Sequence, residues 1–173
     1  NYSVTDQSTT TANITAKSLT VSGITASDKT YDGSTSATLT GTAVYSGLVA
    51  GDTFDGSYTG VFSNANVASG KTVNITSTYS GADVNNYSVT DQSTTTASIT
   101  QKALTATASA SNKTYNATNS ASVTLTLSGL IGSETLGSTN TSTFNNKNVG
   151  TGKTVTVNSI TLADGTNGGL AAN

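Results

Sequence analysis

Nine carboxylates and seven lysines are the only side chains of this chain that carry full charge near neutral pH. There is no His and no Cys, so imidazole-assisted nucleophiles, thiolates and zinc cages of the usual ligands have no residues to be built from. The remaining enzymatic route is a carboxylate pair, one acid and one base facing each other across a scissile bond, as in glycoside hydrolysis. Asp52 and Asp55 lie close in sequence, and Glu134 falls in the same neighbourhood of the second half. Beside Gly51 and Gly56 the two aspartates read more simply as turn residues, because Asp bonds its own backbone two residues on. We assign no catalytic residue and expect no enzyme.

Three other chemistries have candidate residues. Asp28, Asp32, Asp52, Asp55, Asp83 and Asp91 could offer oxygens to calcium, yet no D-x-[DN]-x-[DN]-G loop occurs and the second half loses most of these acids. Turn formation accounts for them better, and neither a metal nor any other cofactor is expected. Lys71 and Lys153 recur at equivalent places and raise a lysine to asparagine crosslink, but without a recurring buried acid to promote it they read as solvated strand-end lysines. Tyr31, Tyr58, Tyr79, Tyr87 and Tyr115 could form a stacking platform for sugars; their inward phase or nearness to turns favours a core or corner role. Asn-x-Ser/Thr sequons at 13 and 74 arise by chance in so threonine-rich a chain. With a net charge of −2 and singly scattered lysines there is no basic stripe for nucleic acid.

What must position these residues is a duplicated chain. Residues 1–20, NYSVTDQSTTTANITAKSLT, return at 86–105 with three changes, at Asn13, Ala16 and Ser18. FSNANVASGKTVNI at 62–75 is echoed by FNNKNVGTGKTVTV at 144–157. A period of about 80 to 85 residues exceeds that of solenoid repeats and suits tandem small β domains. Leu, Ile, Val and Phe number only 32 of 173, near the level of disordered chains, but the net charge is too low for that class. The few apolar residues are regularly spaced, so a thin ordered core is expected.

Period-two alternation bounded by Gly, Asn and Asp marks the strands. Leu19, Val21 and Gly23 share one face, followed by a turn at SDKTYDGST; Ala37, Leu39, Gly41, Ala43 and Tyr45 alternate next, then Phe54 to Phe62. Val73, Ile75, Ser77 and Tyr79 follow, then Tyr87 and Val89, then Ala97 and Ile99. The second half repeats the order with Val123, Leu125 and Leu127, Phe144, Val155 and Val157, and Ile160 and Leu162. The fold class expected is all-β: tandem Ig-like antiparallel β-sandwich repeats in an extended rod. Residues 1–17 read as the closing strand of a preceding repeat, 18–102 as a complete sandwich, and 103–173 as a second sandwich without its last strand. Between Ala82 and Ser128 no glycine or proline occurs, so the junction SITQKALTATAS is expected to be a stiff, continuous strand. On such a strand Ile99 and Leu104, five apart, would point to opposite faces. No apolar run reaches the length of a membrane span.

The blocks KTYDG, FSNANVASGKTV and NNYSV resemble the YDG or MBG-type repeats of large secreted bacterial adhesins, including filamentous haemagglutinin-like and biofilm-matrix proteins. Lys29, Tyr31, Asp32 and Gly33 carry the signature; Asn66, Val67, Gly70 and Lys71, and then Asn86 and Tyr87, are further landmarks. In the second repeat Lys113 and Tyr115 stand with Asn148, Val149, Gly152 and Lys153, but Asn116 and Ala117 replace Asp and Gly, so that turn is expected to be rebuilt. The resemblance implies an extracellular or bacterial cell-surface location and a structural role, as a stiff repeat spacer in an adhesin stalk or matrix fibre. The partners it implies are adjacent repeats or neighbouring subunits. Two alternatives stay open: a carbohydrate-binding module for matrix or surface polysaccharide, and a filament subunit in which residues 1–15 complete a neighbour by β-strand addition.

Overall fold

The computed structural model describes residues 1–173, in which every regular element but one is a strand. In chain order these are β1 (Lys17–Ser22), β2 (Thr25–Ala26), β3 (Lys29–Thr30), β4 (Ser36–Ala37), β5 (Leu39–Thr40), β6 (Val44–Ser46), β7 (Asp55–Phe62) and β8 (Ala68–Ser80). After a single 3-10 turn at Val84–Asn86 come β9 (Tyr87–Thr90), β10 (Thr94–Thr100), β11 (Thr105–Ala110), β12 (Val123–Ser128), β13 (Leu136–Phe144) and β14 (Val155–Asp164). The protein is all-β, and no helix is long and apolar enough to cross a membrane. The chain packs as two compact units of three segments each. One comprises Asn1–Ser27, Ser36–Ser63 and Thr72–Thr96; the other Asp28–Thr35, Asn64–Lys71 and Ala97–Asn173. The spatial grouping thus draws the KTYDG turn and the loop before Lys71 together with the second repeat.

In the first unit, alternation along β1 buries Leu19 and Val21 and exposes their neighbours. β1 is the middle of a three-stranded sheet, antiparallel to β6 and parallel to β9. Its side chains join Ile24, Phe54, Ile75 and Tyr87 in one core cluster. Phe54 is the hub, with the rings of Tyr45, Tyr79 and Tyr87 at centroid distances of 5.2, 5.2 and 5.8 Å. In a chain without Trp or Met, aromatic packing, edge-to-face for Tyr45 and Tyr87 and tilted for Tyr79, supplies bulk that aliphatic residues do not. β7 and β8 pair antiparallel from Asp55↔Ser80 to Phe62↔Val73. Gly60 on β7 is there for space: a Cβ would stand 2.7 Å from Leu39 Cδ2 and 3.2 Å from Val73 Cγ1.

Three expectations change. The sheets are mixed, not purely antiparallel: β1 runs parallel to β9, and β10 runs parallel to β3. Parallel partners need a long crossover, and each pair joins strands from opposite ends of a repeat, an arrangement that alternation alone does not encode. The stretch from Ala37 to Tyr45 is not one strand but three short ones, β4, β5 and β6. Gly41 takes φ +82° at the break, and a Cβ there would lie 2.4 Å from the Gly23 carbonyl oxygen. Finally, the junction is not a continuous strand. β10 stops at Thr100 and β11 begins at Thr105. Within that gap Lys102 N–H donates to the Asn173 carbonyl and the Gln101 side-chain amide to the Ala172 carbonyl. The backbone changes partners there, from β3 to β12.

In the second unit β11 pairs with β12, and β13 with β14. The phase change between Val157 and Ile160 is a bulge: Ser142 faces Val157 and Thr141 faces Ser159, leaving Asn158 over. All six residues of β11 are exposed, whereas the matching β1 buries Leu19 and Val21. β11 has β12 as its only strand partner, and β1 has β9 as well as β6. Residues 1–16 form no strand, and Tyr2, Val4 and Ile14 in them are 102%, 82% and 101% exposed.

Removing the hub ring tests this account of the core. Phe54→Ala should cost about 3–5 kcal/mol, the usual range for a buried ring, read as a lower urea midpoint with an unchanged slope. A loss under about 1 kcal/mol would show that the aromatic cluster does not carry the first unit.

Candidate functional site

The residues singled out by sequence build turns and anchors. In KTYDGS, Lys29 Nζ donates to Asp32 Oδ1 at 2.8 Å, to the Ser34 carbonyl at 2.8 Å and to Ser34 Oγ at 3.0 Å. Asp32 Oδ1 also accepts the Ser34 N–H at 2.9 Å, an Asx turn. Lys29 and Asp32 form an ion pair. The Lys29 ammonium, and after it the Ser34 N–H, hold the Asp32 carboxyl down to about 2. Gly33 takes φ +74° between them.

The second repeat keeps this turn although the sequence had suggested that it would be rebuilt. Lys113 Nζ donates to the Thr118 carbonyl, to Thr118 Oγ1 and to the Ser120 carbonyl at 2.9, 3.0 and 2.9 Å. Asn116 Oδ1 accepts the Thr118 N–H at 3.2 Å, as Asp32 accepts that of Ser34. The amide oxygen serves as acceptor where the carboxylate did, so the turn survives loss of the charge. Ala117 takes the place of Gly33 at φ +62°, a left-handed conformation that disfavours a Cβ.

The second lysine clip also occurs twice. Asn64 Oδ1 accepts the Asn66 N–H at 3.0 Å and Lys71 Nζ at 2.7 Å; Asn146 Oδ1 accepts the Asn148 N–H at 3.0 Å and Lys153 Nζ as well. Gly70 and Gly152 take φ +59° and +61°. Lys71 and Lys153 are therefore not merely solvated strand ends; each is hydrogen-bonded across its loop. The acceptors, Asn64 and Asn146, were not picked out by sequence, although both recur at the spacing of the block that contains them. Val67 N–H donates to Asn173 Oδ1 at 3.1 Å and Gly70 N–H to Ser98 Oγ at 3.3 Å, while Val149 is exposed.

Two of the three carboxylates weighed for catalysis, Asp52 and Glu134, each hold a tyrosine. Tyr87, 8% exposed, donates its phenol to Asp52 Oδ2 and accepts the Val49 N–H at 2.9 Å. Asn86, next to it, gives its N–H to the Asp83 carbonyl at 2.9 Å. Tyr31, 7% exposed, donates its phenol to Glu134 Oε1 and its backbone N–H to the Thr100 carbonyl at 2.8 Å. Tyr31 lines one cavity together with Leu104, Leu130, Ile131, Leu136 and Leu170. The Glu134 hydrogen bond, then burial, raise the Tyr31 phenol above its ordinary value; the Asp52 bond, then burial, do the same for Tyr87. Asp52 and Glu134 are 82 residues apart, the separation of the FSNANV and FNNKNV blocks, so they are equivalent positions. That equivalence was readable; the partner, 103 positions from Glu134, was not.

The other aspartates are dispersed. Asp28 accepts the Ser98 N–H, Asp83 the Thr53 N–H and Asp91 the Tyr79 phenol, and Asp55 opens β7. No three acidic side chains converge on a common point. Tyr31 and Tyr87 have the expected core role and Tyr58 and Tyr79 pack against the core, but Tyr115 is 56% exposed.

The family model of the YDG domain matches residues 15–97 and again residues 100–173. No curated protein and no solved structure matches the chain.

The two turns make each other's controls. Asp32 has a folded pKa below its unfolded value of about 3.9, so its contribution is complete above that value and is lost as pH falls through about 2. Asp32→Asn should keep the turn, as Asn116 does, and remove this pH dependence; amide exchange at Ser34 between pH 4 and 2 reads both, and a turn that opens in the variant at every pH would contradict the equivalence. Ala117→Gly should relieve the left-handed alanine and raise stability by about 0.5–1 kcal/mol in thermal unfolding, whereas a loss would show that Ala117 is unstrained.

Proposed function

Because this chain belongs to the YDG domain family across both of its repeats, we propose that it is a mechanical spacer. In this reading it is a run of tandem β-sandwich repeats in a stiff rod, part of a stalk or matrix fibre of an extracellular bacterial adhesin or biofilm protein. The observation that carries it is Tyr31. The signature tyrosine of the first repeat is buried among leucines of the second and bonded to Glu134. Signature residues spent on joining repeats suit a protein whose task is to hold a distance.

Three features add support. The unit that holds Tyr31 also holds the loop before Lys71, and both loops are closed by lysine hydrogen bonds. Gln101 and Lys102, where β10 gives way to β11, are tied to Ala172 and Asn173, which restrains a segment that is not itself a strand. Only 9% of residues are charged, so a rod made this way would change length little with salt.

Small-angle scattering of the 173-residue chain tests the reading. One elongated, rigid conformation is expected, unchanged between low and high salt. Tyr31→Ala should broaden the distance distribution without unfolding the first unit, and Tyr31→Phe, which loses only the bond to Glu134, should do so less. Freely pivoting lobes in the wild-type chain would refute the spacer. Selective capture on a glycan array would favour the polysaccharide-binding module instead.

A further inference from the structure

We propose that the turn bearing Tyr115 and the crevice beside Asp52 are the two halves of one contact, made between one copy of this chain and a second copy. The inference rests on the spacer reading and names its partner.

The contact has a pattern inside the second unit. β3 lies parallel to β10 with Ile99 opposite Lys29 and Thr100 opposite Thr30. Tyr31 then gives its N–H to the Thr100 carbonyl and its phenol to Glu134. Every participant has a counterpart elsewhere in the sequence. Lys113, Thr114 and Tyr115 match Lys29, Thr30 and Tyr31; Ile14 and Thr15 match Ile99 and Thr100; Asp52 matches Glu134.

These counterparts present themselves open. Tyr115 is 56% exposed where Tyr31 is 7%, and Ile14 is 101% exposed where Ile99 is 1%. Ile14, Thr15, Lys17, Val49, Asp52 and Tyr87 line one crevice of the first unit. Tyr87 bonds Asp52 through Oδ2, which leaves Oδ1 for a second phenol. The turn on the other side is already shaped, since Lys113 bonds the Thr118 carbonyl and Asn116 the Thr118 N–H, the counterparts of the bonds that Lys29 and Asp32 make to Ser34.

In the proposed contact Ile14 of one copy faces Lys113 of the other and Thr15 faces Thr114. Tyr115 gives its N–H to the Thr15 carbonyl and its phenol to Asp52. Ile14 and the Tyr115 ring leave water, and strand addition supplies the backbone bonds. The two surfaces differ, so the contact is heterologous and each copy keeps one unused half of it. Association then runs head to tail and does not close on a dimer.

Cysteine cross-linking reads the register, and the chain has no cysteine of its own to confuse it. Thr15→Cys and Thr114→Cys, both at exposed positions, are mixed as separate full-length proteins under mild oxidation. Directly facing strand residues bring Cα atoms within the roughly 4.4–6.8 Å that a disulfide spans. Mixed dimers should form several-fold faster than with Thr161→Cys, also exposed, in place of Thr114→Cys. Adding Tyr115→Ala to the Thr114→Cys protein should slow them about tenfold, the equivalent of roughly 1.4 kcal/mol. Equal rates for the two pairs, or rates indifferent to Tyr115→Ala, would overturn the contact. Rod-like scattering of a chain that fails to cross-link would remove this inference and leave the spacer standing; flexible scattering would remove the spacer whatever the cross-linking shows.

Discussion

A buried phenol bonded to a carboxylate is the interaction on which this structure turns. The chain has no disulfide, no Trp and only three Phe, so its thin core must take volume from tyrosine. A tyrosine ring buries much apolar area, but its hydroxyl needs a partner when water leaves. Asp52 gives Tyr87 that partner and Glu134 gives Tyr31 the same. In each case an acceptor from a loop accounts for the polar end, and the ring fills space among aliphatic side chains. The raised phenol values follow from the same geometry, because a phenolate there would face a carboxylate in a partly dry site.

Lysine does comparable duty on the surface. An ammonium with three donors can bind several acceptors at once, which is how Lys29 and Lys113 each collect a turn and Lys71 and Lys153 each close a loop. Exposed ion pairs contribute little by themselves. The value of these clips is geometric: carbonyl and amide acceptors, most of them uncharged, fix loop shape without depending on ionisation. Asn116 in place of Asp32 illustrates the point: the ion pair is gone, but the Asx bond from the Thr118 N–H and the lysine bond to the Thr118 carbonyl remain.

Much of the fold could be read from alternation. Leu19 and Val21, Val73 and Ile75, and Ala97 and Ile99 are buried on the faces that a period of two assigns them. Topology was not legible, because the parallel pairing of Lys17 with Tyr87 joins residues 70 apart and leaves no local trace. The break at residues 101–104 was hidden for a related reason: no glycine or proline marks it, and the bond that Lys102 N–H makes there is to the Asn173 carbonyl, which is remote in sequence. The signature positions were found as a pattern, whereas their roles depended on partners. Sequence could pair Asp52 with Glu134 by spacing, yet nothing in it said that a tyrosine sits on each.

Duplication explains why the two tyrosine anchors are not copies of each other. Tyr87 and Asp52 belong to the same repeat; Tyr31 and Glu134 belong to successive repeats. A carboxylate at this position can therefore serve a strand of its own repeat or the signature turn of the one before it. A contact between unlike surfaces costs no new sequence in the spacer reading, since each repeat carries both a signature turn and an acid at this position. In the spacer reading this is why the signature is a turn and not a core motif: the core needs only a face of apolar residues, which many sequences supply. A joint in that reading needs one aromatic ring on a turn held by lysine, facing one acid in the next repeat.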